Sequence, residues 1–197
     1  MYMINHPNLK EKLIKEICPS VEAVVSDIAN GLTYETVSKF DFLHSCFYET
    51  LRKDPPVYLS LMQSFDADTK IGNIVFKKDD MFAINIKAMH HDPKQWKEPQ
   101  KFVPERFDHS SDWCKTPSWG LRNSLAFNPF LGGRRGCLGK TFAETVIRFT
   151  IPILYYHFDF DFADQLHKID RPVFDSVSCV TTNIPIKLTT KNKAAWD

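Results

Sequence analysis

The sequence has almost no net charge, since 25 basic and 24 acidic residues leave +1 over 197 positions. That balance excludes a global field that draws the chain onto nucleic acid, so no nucleic-acid partner is expected and any charged partner must meet a local patch. The five cysteines, Cys18, Cys46, Cys114, Cys137 and Cys179, form no CxxC pair, and their odd number argues against a disulfide framework. A reducing compartment is expected, with most of the thiols serving as buried filler. A signal peptide is also missing, because Met1-Tyr2-Met3-Ile4 runs straight into Asn5-His6-Pro7 with no basic segment and no long apolar one. The longest apolar-rich run, Phe149 to Phe158, is broken by Pro152 and falls short of the roughly 18 residues a membrane span needs. Internal repeats and low-complexity segments are absent.

What is present is a globular composition, 43% hydrophobic and 25% charged, with 12 prolines and 16 phenylalanines. So many phenylalanines imply a large core or a large apolar cavity. The length suits one ordinary domain or a large piece of something bigger.

Residues 6 to 17 are expected to form an amphipathic helix with Leu9, Leu13 and Ile17 on one face, ended by Cys18-Pro19. Ser20 can then cap a second short helix with Val21, Val24, Val25 and Ile28 inward, stopped by Asn30-Gly31. Residues 38 to 53 carry Phe40, Leu43, Phe47 and Leu51 at helical spacing, with Pro55-Pro56 as the stop. Glu49 and Arg52 lie three apart and so share a face of that helix. From Val57 to Ala88 the period changes to two, with turn signals at Asp66-Ala67-Asp68, Gly72-Asn73 and Lys78-Asp79-Asp80. Strands are expected at Ile71 to Phe76 and Met81 to Ala88, in a small antiparallel sheet.

A proline-punctuated stretch follows, containing His90-His91-Asp92-Pro93, Trp96, Phe102 and Pro104-Glu105-Arg106-Phe107. Adjacent histidines without HxxxH spacing make a poor metal site, so His90 and His91 are expected to pack and hydrogen-bond. Residues 108 to 129 show no clear period, and a connection that long is usually functional or packed beneath a site. There Trp113, Trp119 and Phe127 suggest packing. Leu138 to about Tyr155 is expected to be a helix with Phe142, Val146, Phe149 and Ile153 inward, bent near Pro152. Strands should fill Phe158 to Leu188, with Pro172 and Pro185 confining them to edges or ends.

The chemistry concentrates in Phe130-Leu131-Gly132-Gly133-Arg134-Arg135-Gly136-Cys137-Leu138-Gly139. A glycine-rich loop here delivers one cysteine to a helix start beside two arginines, and both features favour a thiolate, either as ligand or as nucleophile. Three readings compete. A buried structural cysteine is poorly served by so much glycine and arginine. A phosphate loop ending in Gly139-Lys140-Thr141 fails by one residue, because its first glycine should stand at Arg134. The third is an axial thiolate ligand to haem iron, which needs a loop-borne cysteine and glycines that let a flat macrocycle lie against backbone. It also needs a cation for a propionate and donors around the sulfur.

The loop resembles the haem-binding signature of the cytochrome P-450 monooxygenases, Phe-x-x-Gly-x-Arg-x-Cys-x-Gly, met by Phe130, Gly133, Arg135, Cys137 and Gly139. Glu49-Thr50-Leu51-Arg52 resembles the family's Glu-x-x-Arg helix and Pro104-Glu105-Arg106-Phe107 its downstream segment, in the same order. The resemblance, to the microsomal type, covers nearly the whole chain. It implies a mainly α fold with small antiparallel β sheets, the C-terminal, proximal haem side of the cytochrome P-450 fold. Residues 1–197 would then be a single partial domain whose N-terminal half, with the oxygen-activating helix, is absent.

Carried over residue by residue, the resemblance makes Cys137 the ligand to the iron of haem b and Arg135 a propionate partner. Phe130 would pack beside the thiolate, while Gly133 and Gly139 would allow close approach of haem and helix. Glu49, Arg52 and Arg106 would form a buried structural triad. Met62-Gln63 stands where many relatives carry a second propionate arginine, and Asp80 where they carry a turn glycine. An NADPH-dependent reductase or other electron donor is expected at the Cys137 face, where Arg122, Arg134, Lys140 and Arg148 could form a basic docking patch. The resemblance further implies a small apolar substrate and the cytosolic face of the endoplasmic-reticulum membrane. A non-catalytic truncated or pseudogene product and a nucleotide-binding loop stay open as alternatives.

Overall fold

The computed structural model describes residues 1–26, 32–164, 173–175, 178–180 and 185–191. It is helix-rich with small antiparallel sheets, as the sequence suggests. A short helix α1, Tyr2–Asn5, leads into α2, Pro7–Ser26; α3, Tyr34–Ser38, precedes α4, Asp41–Lys53. Strands β1 to β4 cover Gln63–Ser64, Thr69–Ile71, Ile74–Phe76 and Met81–Phe82, and α5 covers Ile86–His90. Short 3-10 turns then carry the chain to α6, Lys140–His157, followed by β5 to β8 at Phe158–Phe162, Val173–Asp175, Ser178–Val180 and Ile186–Thr190. The strands pair antiparallel in twos, β1 with β4, β2 with β3, β5 with β8 and β6 with β7.

Leu13, Ile17, Val37, Phe40 and Leu43 form the buried core, and Phe149, Ile151 and Tyr155 of α6 pack on it. One expected break is not there. α2 runs through Pro19 instead of ending at Cys18, and Ser20 starts no second helix. An interior proline removes one helical hydrogen bond. Here Ile17 and Val21 are buried on either side of an exposed Pro19, and burial across the gap keeps both turns in line. Ile28 and the Asn30-Gly31 stop lie outside the described residues, as do the side chains of Val24 and Val25.

The helix expected from residue 38 begins at Asp41, because α3 is a separate turn capped by the Thr33 hydroxyl. The N-cap position of α4 is Phe40, whose side chain cannot accept. Glu16 of α2 supplies the cap instead, accepting from the amides of Phe42 and Leu43 at 2.8 and 2.9 Å. Burial pushes the Glu16 carboxyl above its ordinary value despite those two bonds.

The strand expected over Met81 to Ala88 survives only as Met81–Phe82. Asn85 caps a helical turn by accepting from Ala88 N–H at 2.8 Å, and that turn takes up Ile86 to His90. The expected strand from Ile71 to Phe76 is likewise split, with Gly72 at φ +59 turning β2 into β3. Asp79, not Asp80, takes the positive φ, +70, in the following turn. Pro185 stands next to β8 as expected, and Pro172 lies outside the described residues.

The orientation of α6 is a second correction. Phe142, Val146 and Ile153, expected inward, are 75%, 40% and 41% exposed, and of that stripe only Phe149 reaches the core. Apolar residues stand on more than one side of α6, with Phe142, Val146, Phe149 and Ile153 on one and Ile151 and Tyr155 interleaved with Glu144 and Arg148 on another. The stripe alone therefore does not fix which side is covered. Packing on α2 selects the one that carries Ile151 and Tyr155. Trp119, expected to pack, is 64% exposed at φ +64 with Lys97 4.1 Å from its ring centroid.

Candidate functional site

Glu49 and Arg52 stand one turn apart on α4, and the Pro104–Phe107 turn brings Arg106 to the same point. Glu49 Oε2 accepts from Arg52 Nε at 2.7 Å. Its Oε1 accepts from Arg52 Nη2 at 2.8 Å, from Arg106 Nε at 3.2 Å and from Val103 N–H at 2.8 Å. All three side chains are buried. Among the remaining donors, Arg52 reaches His90 O at 3.0 Å and Lys101 O at 3.1 Å, and Arg106 Nη2 reaches Glu98 O at 2.9 Å, while Arg106 Nη1 is buried without a hydrogen-bond partner among the described residues. Burial lowers the Arg106 guanidinium from its ordinary value, and the attraction of Glu49 opposes this.

A third arginine joins them. Arg122 stacks 3.8 Å from the Trp96 ring centroid and donates to the Trp113 carbonyl at 3.1 Å. Burial first, then Arg106, pushes it down to about 10. Arg148 likewise turns inward, donating to Ser38 O at 3.0 Å. The expected docking patch therefore loses two of its four members, since Arg122 and Arg148 are held by carbonyls. Arg134 and Lys140 stay exposed, with no ion pair among the described residues.

The cysteine loop lies between a 3-10 turn, Ser124–Ala126, and α6. No strand leads into it, so the frame of a phosphate loop is missing as well as its spacing. Cys137 N–H donates to Phe130 O at 2.8 Å, which closes the loop, and Gly136 N–H donates to Gly133 O at 3.2 Å within it. Gly133 sits at φ +67 and Leu131 at φ +55, a left-handed pair that turns the backbone sharply.

Cys137 is exposed, three residues before the first residue of α6. The donors expected around its sulfur are not in place, for Sγ makes no hydrogen bond among the described residues. A Cβ on Gly133 would meet nothing within 4 Å, and one on Gly139 would meet only Cys137 Sγ at 3.8 Å. The loop thus offers an uncovered thiol beside bare backbone. Arg135 is exposed and makes no ion pair among the described residues, while Phe130 is half-buried. Exposed Leu138 and Phe142 add apolar surface alongside.

Two contacts that the sequence left unmarked tie the entry of this loop to α5 and the helix that follows it to α4. His90, fully buried, accepts from Asn128 N–H at Nε2 over 3.0 Å. Tyr48 of α4 donates to Glu144 of α6 at 2.6 Å, and burial with that carboxylate raises its hydroxyl pKa. Around them Tyr48, Trp96, Phe107 and Phe127 form one aromatic cluster, with Phe107 and Phe127 centroids 4.7 Å apart. The apolar residues were legible in the sequence, but a polar partner 38 or 96 positions away left no local signal.

A buried arginine-glutamate cluster and an open glycine-cysteine loop, in a helix-rich frame with two-stranded ladders, define the class. The chain matches the family Cytochrome P450 over residues 1–189. It is similar to Cytochrome P450 3A5 of Homo sapiens, 31% identical over 189 residues, covering 96% of this chain and 32% of that protein. It is 33% identical over 168 residues to Cytochrome P450 71A8 of Mentha piperita, covering 85% of this chain and 31% of that one. With the steroid 17-alpha-hydroxylase/17,20 lyase of Peromyscus leucopus it shares 29% over 164 residues, 83% of this chain and 30% of the relative. The chain belongs to the cytochrome P450 family. It spans about a third of the length of these curated relatives.

Proposed function

We propose that the chain forms the proximal, haem-holding part of a haem-thiolate monooxygenase. The observation that carries this reading is the uncovered Cys137 thiol on a loop whose glycines leave the space beside it open. Cys137 would hold the iron of haem b as a thiolate. Arg135, free of any ion pair among the described residues, would take a propionate carboxylate. Phe130 would screen the sulfur from water, and Gly133 and Gly139 would keep backbone low enough for a flat ring to approach. The Glu49–Arg52–Arg106 triad would fasten α4 to the segment that leads to the loop.

When bound, such a group supplies the activation of O2 and the insertion of one oxygen atom into a small apolar organic substrate. Electrons would come from an NADPH-dependent reductase or another donor that meets the Cys137 face through Arg134 and Lys140. Location at the endoplasmic-reticulum membrane is part of the same proposal. Among the described residues no helix is long and apolar enough to cross a membrane.

The test is the carbon monoxide difference spectrum of the reduced, haem-loaded chain. A red-shifted Soret band that disappears in Cys137→Ala supports the assignment. An unshifted band in the parent chain, or a shifted one that survives the substitution, refutes it.

A further inference from the structure

His90 is the last residue of α5 and has no exposed surface, yet neither a core packing role nor the triad accounts for its ring. Its two ends face different parts of the site. The main-chain carbonyl accepts from Arg52 Nη1 at 3.0 Å, so the backbone of His90 is fastened to the triad. The ring Nε2 accepts from Asn128 N–H at 3.0 Å, and the ring lies 5.1 Å from the Phe127 centroid. Two residues past Asn128, the Phe130 carbonyl accepts from Cys137 N–H at 2.8 Å, and Asn128 O accepts from Leu131 N–H at 3.2 Å. Hydrogen bonds linked by the covalent frames of His90 and residues 128–130 therefore lead from Arg52 into the loop that presents the thiol.

We propose that His90 is a positioning residue: through its ring nitrogen it sets where the cysteine loop stands relative to the Glu49–Arg52–Arg106 triad. The proposal rests on reading Cys137 as the iron ligand. Asn128 N–H is a donor and needs an acceptor, which an imidazole provides only when the ring is neutral with its proton on Nδ1. The Asn128 donor itself requires that form, and Nδ1 is left without a hydrogen-bond partner among the described residues. The charged and titratable groups facing the ring are Arg52 from α4 and the neighbouring His91, and the loop contributes only the neutral Phe127. A proton on Nε2 would set donor against donor and release the loop. Burial and the Arg52 charge both oppose it, which keeps the ring an acceptor.

The experiment compares the parent chain, His90→Leu and His90→Gln, loaded with haem, by amide hydrogen exchange resolved to segments and by the carbon monoxide difference spectrum. Glutamine can place an amide oxygen near the position of Nε2, whereas leucine cannot accept. Exchange over residues 127–131 is expected to be about tenfold faster in His90→Leu than in the parent, with α4 unchanged and His90→Gln close to the parent. The red-shifted fraction of the Soret band should fall in His90→Leu and return in His90→Gln. Equal exchange over 127–131 in all three proteins overturns the proposal, as does equal acceleration in α4 and the loop. Should His90→Leu not fold, the parent titrated from pH 7 towards pH 4 decides: loop protection is expected to fail before that of α4, and simultaneous failure overturns the idea. If the parent shows no shifted band, the reading of Cys137 falls, while the exchange comparison still judges His90 on its own.

Discussion

Arg106 lies 57 positions beyond Glu49 and donates its Nε to that carboxylate at 3.2 Å, with both side chains fully out of water. The contact joins α4 to the segment that leads to the cysteine loop. Glu49 also holds Arg52 and Val103 N–H, so one carboxylate serves four donors on two stretches of chain, α4 and residues 103–106. Such a cluster is poorly replaced in parts, because removing one member strands charge in the interior.

Glu49→Ala should therefore destabilise the fold by about 3 to 5 kcal/mol, since it leaves two buried guanidiniums without their counter-charge. Arg106→Leu should cost less, because Arg52 still neutralises the carboxylate through two bonds. Urea unfolding of the two variants checks the order. Equal losses would mean that the two arginines share Glu49 evenly.

Acid should weaken the fold at its histidines. Burial pushes His90 and His91 down to about 4 from the ordinary 6.5. With the folded pKa below the unfolded one, the unfolded chain binds more protons between these values, so stability falls as pH drops from 6.5 towards 4. Above 6.5 the contribution is complete, and for His90 it amounts to roughly 3 kcal/mol. Unfolding free energies measured at pH 7.5 and 4.5 should show the loss, and His90→Gln should shrink it. An equal loss in the variant would place the acid sensitivity elsewhere.

The two loop glycines should respond differently to alanine. Gly133 has no neighbour to strike but sits at φ +67, so Gly133→Ala should lose roughly 1 kcal/mol to backbone strain alone. Gly139 has an ordinary negative φ and a Cβ there would touch only Cys137 Sγ, so Gly139→Ala should unfold like the parent. Haem titration of both proteins separates stability from function. If the space beside the thiol is needed, Gly139→Ala should take up haem more weakly despite its normal fold.

Pro19 offers a test in the opposite direction. It stands inside α2, exposed, where it withholds a helical N–H. Pro19→Ala should restore that bond and raise the thermal midpoint, with a gain of about 1 kcal/mol or more. A lower midpoint would mean that the proline shapes a bend on which the packing of α2 on α6 depends.

Several parts of the site were legible because they are local. The spacing of Phe130, Gly133, Arg135, Cys137 and Gly139 specifies a loop that can bare a thiol whatever surrounds it. Three-residue spacing alone puts Glu49 and Arg52 on one helical face. The amphipathic start of α2 and the turn at Gly72 belong to the same kind of information.

Tertiary structure decided the rest. Pro19 failed to end a helix because burial of Ile17 and Val21 outweighed one missing bond. α6 turned Phe142 outward because apolar residues stand on more than one of its sides, and the packing of α2 covers the side that carries Ile151 and Tyr155. Glu16 caps α4 from another helix, Arg122 is drawn inward onto Trp96, and His90 reaches Asn128. A sequence pattern reports which residues share a face. Which face is buried, and which distant donor finds an acceptor, is settled only when remote segments meet and water is excluded between them.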